Sequence, residues 1–466
     1  MSRYLAGCCL ALACLASPPA AWAQAERGPR QPVPVVPAST GLDGVLGRVS
    51  ANGVTLSLLC HERAMSLLIR YGNGKLPAGG LEKRCEKGAP TEIRLNGLVA
   101  DREYRYEVSE PKGAGRLLSG RFHTARPAGA SFVFTLTSDS HLDDNTDPAL
   151  YQRTLANALA DAPDFHFDLG DTFMTGKHEQ REHAQRQYLA QRIYLAQLGE
   201  SVPLFMVLGN HDGEERRLRR EGADSLAVWA NGQRKRYFPN PQPDGFFSGN
   251  SVADADAGLL QDYYAFTWGD ALFVALNPYW HGHGRRGDAP WELSLGTTQY
   301  QWLKSTLASS RARFKFIFVH QLVGGFGRQG RGGVEAIDQG EWGGRNGDGR
   351  EGFHEQRPDW EMPIHPLLLR YGVTAVFHGH DHLFARQARD GIVYQAMPQP
   401  GHPGEGVPRF AAEYGYREGV ILGGAGHLRV SVRPTEVVVD FVRASLSDKN
   451  NGRIANHDVI AARSAP

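Results

Sequence analysis

The chain has 466 residues, of which 41% are hydrophobic, 22% are charged and 10% are aromatic, so a wholly disordered protein is excluded. Its 51 basic and 50 acidic residues leave a net charge of +1. No overall electrostatic field therefore attracts nucleic acid or anionic lipid, and we expect no nucleic-acid-binding surface. At roughly 150 residues per domain, this length predicts two or three folding units.

Residues 1–23 have the features of a cleaved export signal. Arg3 provides a positive charge, residues 4–16 form a short apolar stretch, and Ala21-Trp22-Ala23 matches a small-x-small cleavage site. The stretch is shorter than the about 20 residues that span a membrane, so we expect no transmembrane segment in the mature chain. The sequence thus predicts a periplasmic or secreted protein. Residues 5–8 also resemble a lipoprotein cleavage site, and lipid anchoring is the alternative.

Two cysteines, Cys60 and Cys85, lie outside this leader. An even number of cysteines in an oxidising compartment indicates a disulfide. Two unpaired core cysteines are the alternative. The two thiols are far apart in sequence and form no CxxC motif, which argues against a zinc site.

Residues 34–124 consist of short alternating runs separated by turn residues, which predicts a small all-β sandwich. The predicted strands include 45–49, 53–59, 65–71 and 104–108. Leu95, Leu98, Tyr104 and Tyr106 resemble the tyrosine-corner region of fibronectin type III modules. That resemblance implies a fold and no particular function. Residues 125–130 are the predicted linker.

From residue 131 to 445 strands alternate with helices, which predicts an α/β domain, followed by a C-terminal tail over 446–466. Asp147-Pro148 is a helix start, and a second helix is predicted over Thr297–Ser309. Gly269-Asp270 lies between two strand-like runs and predicts a hairpin.

Five polar motifs in this domain each follow a strand-like run. They are Asp139-Ser140-His141, Gly170-Asp171, Gly209-Asn210-His211-Asp212, His320 and Gly379-His380-Asp381-His382. Residues just beyond the carboxyl ends of strands converge on one crevice, so we expect these side chains to meet. Their oxygen and imidazole donors suit Mn, Fe, Zn or Co, and the absence of thiolates argues against a structural zinc cage. Each motif alone is compatible with a turn or a helix cap, but five in this arrangement indicate a metal site.

In this order, the motifs resemble the blocks of the calcineurin-like metallophosphoesterase superfamily, over about residues 132–442. The resemblance implies a four-layer αββα domain with two metal ions, Fe, Mn or Zn, that share a bridging carboxylate. It assigns Asp139, His141 and His382 to the first ion, Asn210, His320 and His380 to the second, and Asp171 to both. It further implies that His211 lies beside the leaving group as a proton donor and that Asp212 holds its ring.

The activity implied is hydrolysis of small phosphate monoesters or diesters by a hydroxide that bridges the two metals. A sandwich before such a domain is similar to the purple acid phosphatases, with two departures. Met174 stands where that group has a tyrosine ligand, and His141 stands where its first motif has glycine. We therefore expect no tyrosinate charge-transfer band. The alternative is a non-catalytic exported binding or adhesion protein with structural metals, against which His211 argues because a structural site does not need it.

The glycine-rich segment 324–352, which follows His320, has no helical or strand periodicity. Its guanidinium groups match phosphate oxygens, which predicts a mobile lid that helps to select the substrate. The candidate substrate residues are Arg328, Arg331, Arg345 and Arg350 of this segment, together with His281 and His283. The alternatives are a surface insertion whose arginines pair with its acidic residues, and a solvated basic loop around the two histidines.

Overall fold

The structure is a computed structural model that describes residues 32, 35–39, 41–113, 115–178, 180–219, 222–282, 290–322, 330–404, 408 and 410–462. The export signal predicted for residues 1–23 lies outside these residues. Within them, no helix combines the length and the apolar character that crossing a membrane would require.

The N-terminal region is the predicted sandwich of two antiparallel sheets. Its strands are β1 (Leu42–Gly47), β2 (Gly53–Cys60), β3 (Met65–Gly72), β4 (Leu81–Cys85), β5 (Thr91–Asn96), β6 (Glu103–Ser109) and β7 (Arg116–His123). One sheet contains β1, β2 and β5, and the other has the order β4-β3-β6-β7. The Tyr104 hydroxyl accepts the backbone N–H of Val99 at 2.9 Å, as expected for a tyrosine corner.

The predicted disulfide is confirmed. Cys60 and Cys85 are joined, and they connect the end of β2 in one sheet to the end of β4 in the other. The bond thus crosses the sandwich and limits the separation of its two sheets.

The α/β domain is built on two large sheets that face each other. Its strands are β8 (Phe132–Thr137), β9 (Phe165–Asp168), β10 (Leu204–Met206), β11 (Ser248–Gly249), β12 (Tyr264–Trp268), β13 (Ala271–Ala275), β14 (Phe314–Phe318), β15 (Ala375–His378), β16 (Phe384–Arg389), β17 (Ile392–Ala396), β18 (Val420–Leu422), β19 (Gly426–Val432), β20 (Glu436–Arg443) and β21 (Ile454–Ala461). The second sheet has the order β11-β12-β13-β14-β15-β17-β16-β18. β12 and β13 form the hairpin predicted around Gly269-Asp270.

The first sheet does not stop at the domain boundary. Its order is β21-β20-β19-β8-β9-β10-β1-β2-β5, because β1 of the sandwich pairs in parallel with β10 through Gly47 and Leu204. The sandwich and the α/β domain therefore share a nine-stranded sheet.

Helices cover the outer faces of both sheets, which confirms the four-layer αββα arrangement. They are α1 (Pro148–Ala160), α2 (Arg181–Gly199), α3 (Leu226–Tyr237), α4 (Gly296–Ser309), α5 (Gly340–Gly343), α6 (Phe353–Gln356) and α7 (Ile364–Arg370). α1 and α2 pack on the first sheet, and α4 and α7 pack on the second. Asp147 caps α1 as predicted, since its carboxylate accepts the N–H groups of Ala149 and Leu150.

Phenylalanine side chains fill the space between the two sheets. Phe167 of β9 stacks on Phe318 of β14 with 4.1 Å between ring centroids, and Phe134 of β8 contacts Phe273 of β13 edge-on at 5.2 Å. All four are fully buried, and burial of each such ring contributes about 1.5–3 kcal/mol. This packing places the carboxyl ends of strands from both sheets at one edge.

Part of the segment predicted as a C-terminal tail over 446–466 forms a strand, β21. β21 pairs with β20 along its length and extends the first sheet. Its alternation is difficult to recognise in sequence because polar residues interrupt it, and two of them form ion pairs: His457 with Asp440 and Asp458 with Arg386.

Candidate metal centre

The five motifs lie on loops at this edge, each directly after a strand. Asp139 follows β8, Asp171 follows β9 and Asn210 follows β10, which are neighbouring parallel strands of the first sheet. His320 follows β14 and His380 follows β15, which are parallel neighbours in the second sheet. The convergence predicted from strand ends is thus observed.

Six of the predicted ligands form two compact groups. Among the described residues, Asp139, His141 and His382 make one group, and Asp171, His320 and His380 make the other. Within each group the potential ligand atoms all lie within 4.8 Å of one another. Except for His382, which is half-buried, these residues are buried.

Asp171 faces both groups through one oxygen. Its Oδ2 lies 3.3 Å from Nε2 of His320 and 3.7 Å from Nε2 of His141. Its Oδ1 accepts the backbone N–H of His211 at 2.7 Å. One carboxylate oxygen is therefore directed at both candidate cation positions, while the other fixes the neighbouring loop.

Asn210, the seventh predicted ligand, lies beside the second group. Its Oδ1 lies 2.8 Å from Nδ1 of His380, and its side chain is buried. A neutral amide oxygen at this position adds a donor without adding charge.

The donor set fits two metal ions. Oδ1 of Asp139 and Nε2 of His320 are buried without a hydrogen-bond partner, and leaving such atoms unpaired costs about 1–3 kcal/mol each. The opposite ring atoms are fixed: Nδ1 of His320 bonds the Leu169 carbonyl at 2.8 Å, and Nδ1 of His141 lies 3.2 Å from Asp143. Such outer partners orient metal-binding imidazoles, so both rings present Nε2 to the centre.

Charge pairing dominates the electrostatics of the centre. Burial acts to raise the pKa of Asp171, but the nearby His320 and His211 outweigh it and hold that pKa well below its usual range. Burial acts to lower the pKa of His320, but Asp171 and Asp139 raise it to about 9. Protons on His141 and His320 balance the carboxylates here, and bound cations would displace them.

The backbone at the centre is strained. Five of the seven predicted ligands have a left-handed backbone, with φ of 58° at Asp139, 51° at His141, 54° at Asp171, 71° at His380 and 57° at His382. Residues other than glycine rarely adopt this conformation, which costs on the order of 1–3 kcal/mol each and persists only where the surroundings enforce it. The surrounding hydrogen bonds therefore hold these side chains in place.

Asp212 accepts hydrogen bonds from four backbone amides. Its Oδ2 accepts the N–H groups of Asp171 at 3.1 Å and Gly209 at 2.7 Å, and its Oδ1 accepts those of Thr172 at 2.9 Å and Phe173 at 2.8 Å. Its carboxylate thus clamps two ligand-bearing loops together, and its contact with the His211 ring stays a prediction.

His211 stands outside both ligand groups. Its half-buried ring lies edge-on to that of His141, with 6.3 Å between centroids. It is thus beside the candidate first cation position without belonging to the ligand set.

Arg331 is a predicted substrate residue that contacts the centre. Its guanidinium donates to the carbonyl oxygen of His380 at 2.5 Å, lies 3.3 Å from Asp381 and stacks over Tyr414 at 4.5 Å. It is thus fixed on the loop that carries the metal-ligand candidates His380 and His382.

The other predicted substrate residues are placed differently. The side chains of Arg345 and Arg350 are 53% and 86% exposed, and both pair with acidic neighbours, Glu351 and Asp348. His281 is exposed. Arg328 and His283 lie outside the described residues.

The glycine-rich segment is packed where it is described, over residues 330–352. Trp342 and Glu341 are fully buried, and Glu341 binds Ser294, the N–H of Leu295 and Arg357. These buried contacts attach residues 330–352 to the domain. The ion pairs of Arg345 and Arg350 are those of the insertion alternative, and the lid stays a prediction. Residues 324–329 lie outside the described residues.

Sequence reasoning missed the polar face of α2. Gln187 donates to the carbonyl oxygens of His141 and Thr172, and Gln191 donates to Ser140 and to Thr172. Both glutamines are fully buried and hold the first motif. Two glutamines four residues apart on the buried face of a helix are the signal that could have found them.

Comparisons with known proteins agree with this geometry. Residues 132–384 match the family model of the calcineurin-like phosphoesterases. Tartrate-resistant acid phosphatase type 5 of Mus musculus is 24% identical over 292 residues, which cover 60% of this chain and 76% of that relative. The structure is similar to that of PhoD, with a TM-score of 0.63, 13% identity and coverage of 91% of this chain and 88% of PhoD. It is also similar to the purple acid phosphatase PPD1 of yellow lupin (Lupinus luteus), with a TM-score of 0.59, 14% identity and coverage of 90% and 74%.

Proposed function

This chain belongs to the calcineurin-like phosphoesterase family and is a phosphoric ester hydrolase, and on that premise we propose that it is an exported enzyme that hydrolyses small phosphate monoesters or diesters at a centre of two metal ions. The observation that carries the proposal is Asp171, whose Oδ2 faces both ligand groups. A carboxylate in that position can hold two cations at once.

The proposed ligands follow the two groups. Asp139, His141 and His382 hold one cation, Asn210, His320 and His380 hold the other, and Asp171 contacts both. The mixture of oxygen and imidazole donors suits Fe, Mn or Zn. When bound, two such cations neutralise phosphoryl oxygens and lower the pKa of water.

The chain's own side chains supply the remaining functions. His211 lies outside the ligand set and donates a proton to the departing alkoxide oxygen. Arg331, fixed on His380 and Asp381, contacts the substrate side of the centre with a guanidinium suited to phosphate oxygens. Asp212 keeps the loops that carry Asp171 and His211 in register.

Export is supported by two features of the chain. Its leader has the charge, apolar stretch and cleavage site of an export signal, and the Cys60–Cys85 disulfide is the kind of bond that persists in oxidising compartments. N-terminal sequencing of the mature protein from cell fractions tests this part, with Gln24 as the expected first residue.

Metal analysis with turnover assays tests the activity. Purified protein should contain two metal ions per chain and hydrolyse p-nitrophenyl phosphate, bis-p-nitrophenyl phosphate or both, and chelation should abolish turnover. A metal-replete sample that hydrolyses no phosphate ester would instead favour the alternative of a binding protein with structural metals.

The role of His211 is tested by His211→Ala. The variant should keep two metals and lose roughly 10²–10⁴-fold in rate on alkyl phosphates, with a smaller loss for leaving groups that need no proton. His354→Ala, at an exposed position on α6, is the control and should match the native enzyme. Loss of metal from the His211 variant would remove the assigned role.

Arg331 is tested against its exposed counterparts in the same segment. Arg331→Ala should raise KM or change the ratio of monoester to diester turnover while both metals remain bound. Arg345→Ala and Arg350→Ala remove guanidiniums that pair only with exposed neighbours, and neither should change these parameters. Equal effects of all three substitutions would contradict the proposed role.

A further inference from the structure

We infer that the buried ion pair between Glu214 and Arg234 positions His211. This inference rests on the proposed function, because it concerns the residue proposed as proton donor. Glu214 lies three residues after His211 on the same loop, and Arg234 lies on α3. Neither is a metal-ligand candidate.

The pair is bidentate and almost completely buried. Nε of Arg234 donates to Oε1 of Glu214 at 2.6 Å, and its Nη2 donates to Oε2 at 3.0 Å. Oε2 also accepts the Asn231 side-chain amide at 2.8 Å. Arg234 is 0% exposed and Glu214 is 2% exposed, so water does not compete for these bonds.

Arg234 connects this loop to a second segment of the chain. Its remaining donors bond the carbonyl oxygens of Leu260 at 2.7 Å and Gln261 at 3.1 Å, just before β12. The guanidinium thus links α3, the residues that precede β12 and the loop that carries His211. Because the guanidinium is planar and donates two hydrogen bonds to the same carboxylate, it fixes the direction of the Glu214 side chain as well as its distance.

The backbone between His211 and Glu214 has little freedom to absorb a displacement. The His211 N–H donates to Asp171 at 2.7 Å, and the His211 carbonyl accepts the N–H of Gly176 at 3.1 Å. Gly213 has φ of +89°, and a Cβ there would lie 2.8 Å from the Cβ of Thr175. Only Asp212 and Gly213 separate the two residues, so we expect a displacement of Glu214 to strain these two hydrogen bonds and to change the direction of the His211 ring.

Stability alone does not explain the choice of an ion pair. Replacing a buried ion pair by apolar side chains of similar volume is often neutral or stabilising, because both charges lose their hydration. A bidentate pair does fix geometry, and a misplacement of about 1 Å in a reacting group can reduce a rate about 10²-fold. We therefore assign Glu214 and Arg234 as positioning residues for proton donation by His211.

The main variant is Glu214→Gln, which keeps the shape of the side chain and removes its charge. It should retain two metals, lower kcat at least tenfold on an alkyl phosphate and lower it clearly less on p-nitrophenyl phosphate. Introduced into His211→Ala, the same substitution should cause no further loss on the alkyl phosphate. Arg234→Lys, which keeps the charge but not the fork, should reproduce this selectivity and provides a second test if the glutamine variant does not fold.

The matched control is Glu341→Gln. Glu341 is also fully buried and paired with an arginine, Arg357, but it packs against Ser294 and Leu295. This substitution should affect alkyl and p-nitrophenyl phosphates equally, if at all. Equal losses on both substrates for Glu214→Gln, or an undiminished loss in the His211→Ala background, would show a merely structural role and overturn the inference.

A readout independent of activity separates this inference from the proposed function. In metal-free protein, the ring resonances of His211, assigned by their absence in His211→Ala, should shift in Glu214→Gln and stay unchanged in Glu341→Gln. Unchanged resonances in both variants would overturn the inference. A native enzyme that binds metal but hydrolyses no phosphate ester would overturn the proposed function and leave the resonance test in force.

Discussion

Replacement of Arg192 should destabilise the connection between the sandwich and the α/β domain. This side chain of α2 is 0% exposed, and its Nε donates to Asp43 of β1 at 2.8 Å. Its other donors bond the hydroxyl of Ser57 at 3.0 Å, the Ser57 carbonyl at 2.7 Å and the carbonyl of Tyr237. One guanidinium thus binds two strands of the sandwich and the end of α3.

Arg192→Met removes the charge and keeps most of the volume. Breaking a buried ion pair by removal of one partner costs about 3–5 kcal/mol, because the remaining charge stays buried. Asp43 retains one partner, His61, whose Nε2 lies 2.7 Å from its other oxygen. We therefore expect a loss of about 3 kcal/mol, at the lower end of that range.

Urea unfolding at constant metal content measures this loss as a shift of the midpoint. The double variant Arg192→Met/Asp43→Leu removes the stranded carboxylate, and it should be more stable than the single variant. A loss below about 1 kcal/mol, or a double variant less stable than Arg192→Met, would refute the argument from the buried charge.

Three further predictions concern metal binding, pH and the disulfide. Asp171→Asn weakens the charge that faces both cation positions, so elemental analysis should show less than two metals per chain; full retention would remove the bridging assignment. Burial and the nearby Asp43 raise the pKa of Glu200 from its usual 4.5 to about 7, so the folded state favours the protonated carboxyl. The contribution of this group to folding stability is fully present below about pH 4.5 and is lost as the pH rises through 7. Glu200→Gln should therefore gain thermal stability relative to the native protein between about pH 5 and pH 8, and a constant difference would contradict this pKa. The double variant Cys60→Ala/Cys85→Ala opens the loop closed by the disulfide, whose cysteines are separated by 25 in sequence. Its free energy of unfolding in urea should be about 3 kcal/mol lower than that of the native protein. Equal stability of the two proteins would show that the bond adds nothing.

The sequence predicted the parts of this fold that depend on local patterns. Apolar runs located the strands that precede the five motifs, and Asp147-Pro148 located the start of α1. The convergence of the metal-ligand candidates followed from one topological rule, since each motif comes directly after a strand. The metal-ligand candidates could therefore be identified from their positions just after predicted strands.

Features set by tertiary contacts were not predictable in the same way. β21 is an edge strand whose polar residues interrupt its alternation, and it was expected as a tail. The role of Asp212 depends on four backbone amides, which no side-chain pattern reveals. The packing of residues 330–352 depends on buried bonds from Glu341 to distant segments, whereas its glycine content indicated a loop.

The left-handed backbone of five ligand candidates has a consequence for how the protein acquires its metals. Protein contacts help to hold these positions, among them the Asp212 carboxylate on Asp171 and the buried glutamines of α2 on the first motif. We expect these contacts to keep the donors in place when one cation is exchanged for another, so that the exchange does not require refolding. We expect the metal content of the protein to follow the supply of ions during its production, so that one polypeptide yields preparations with different spectra and rates.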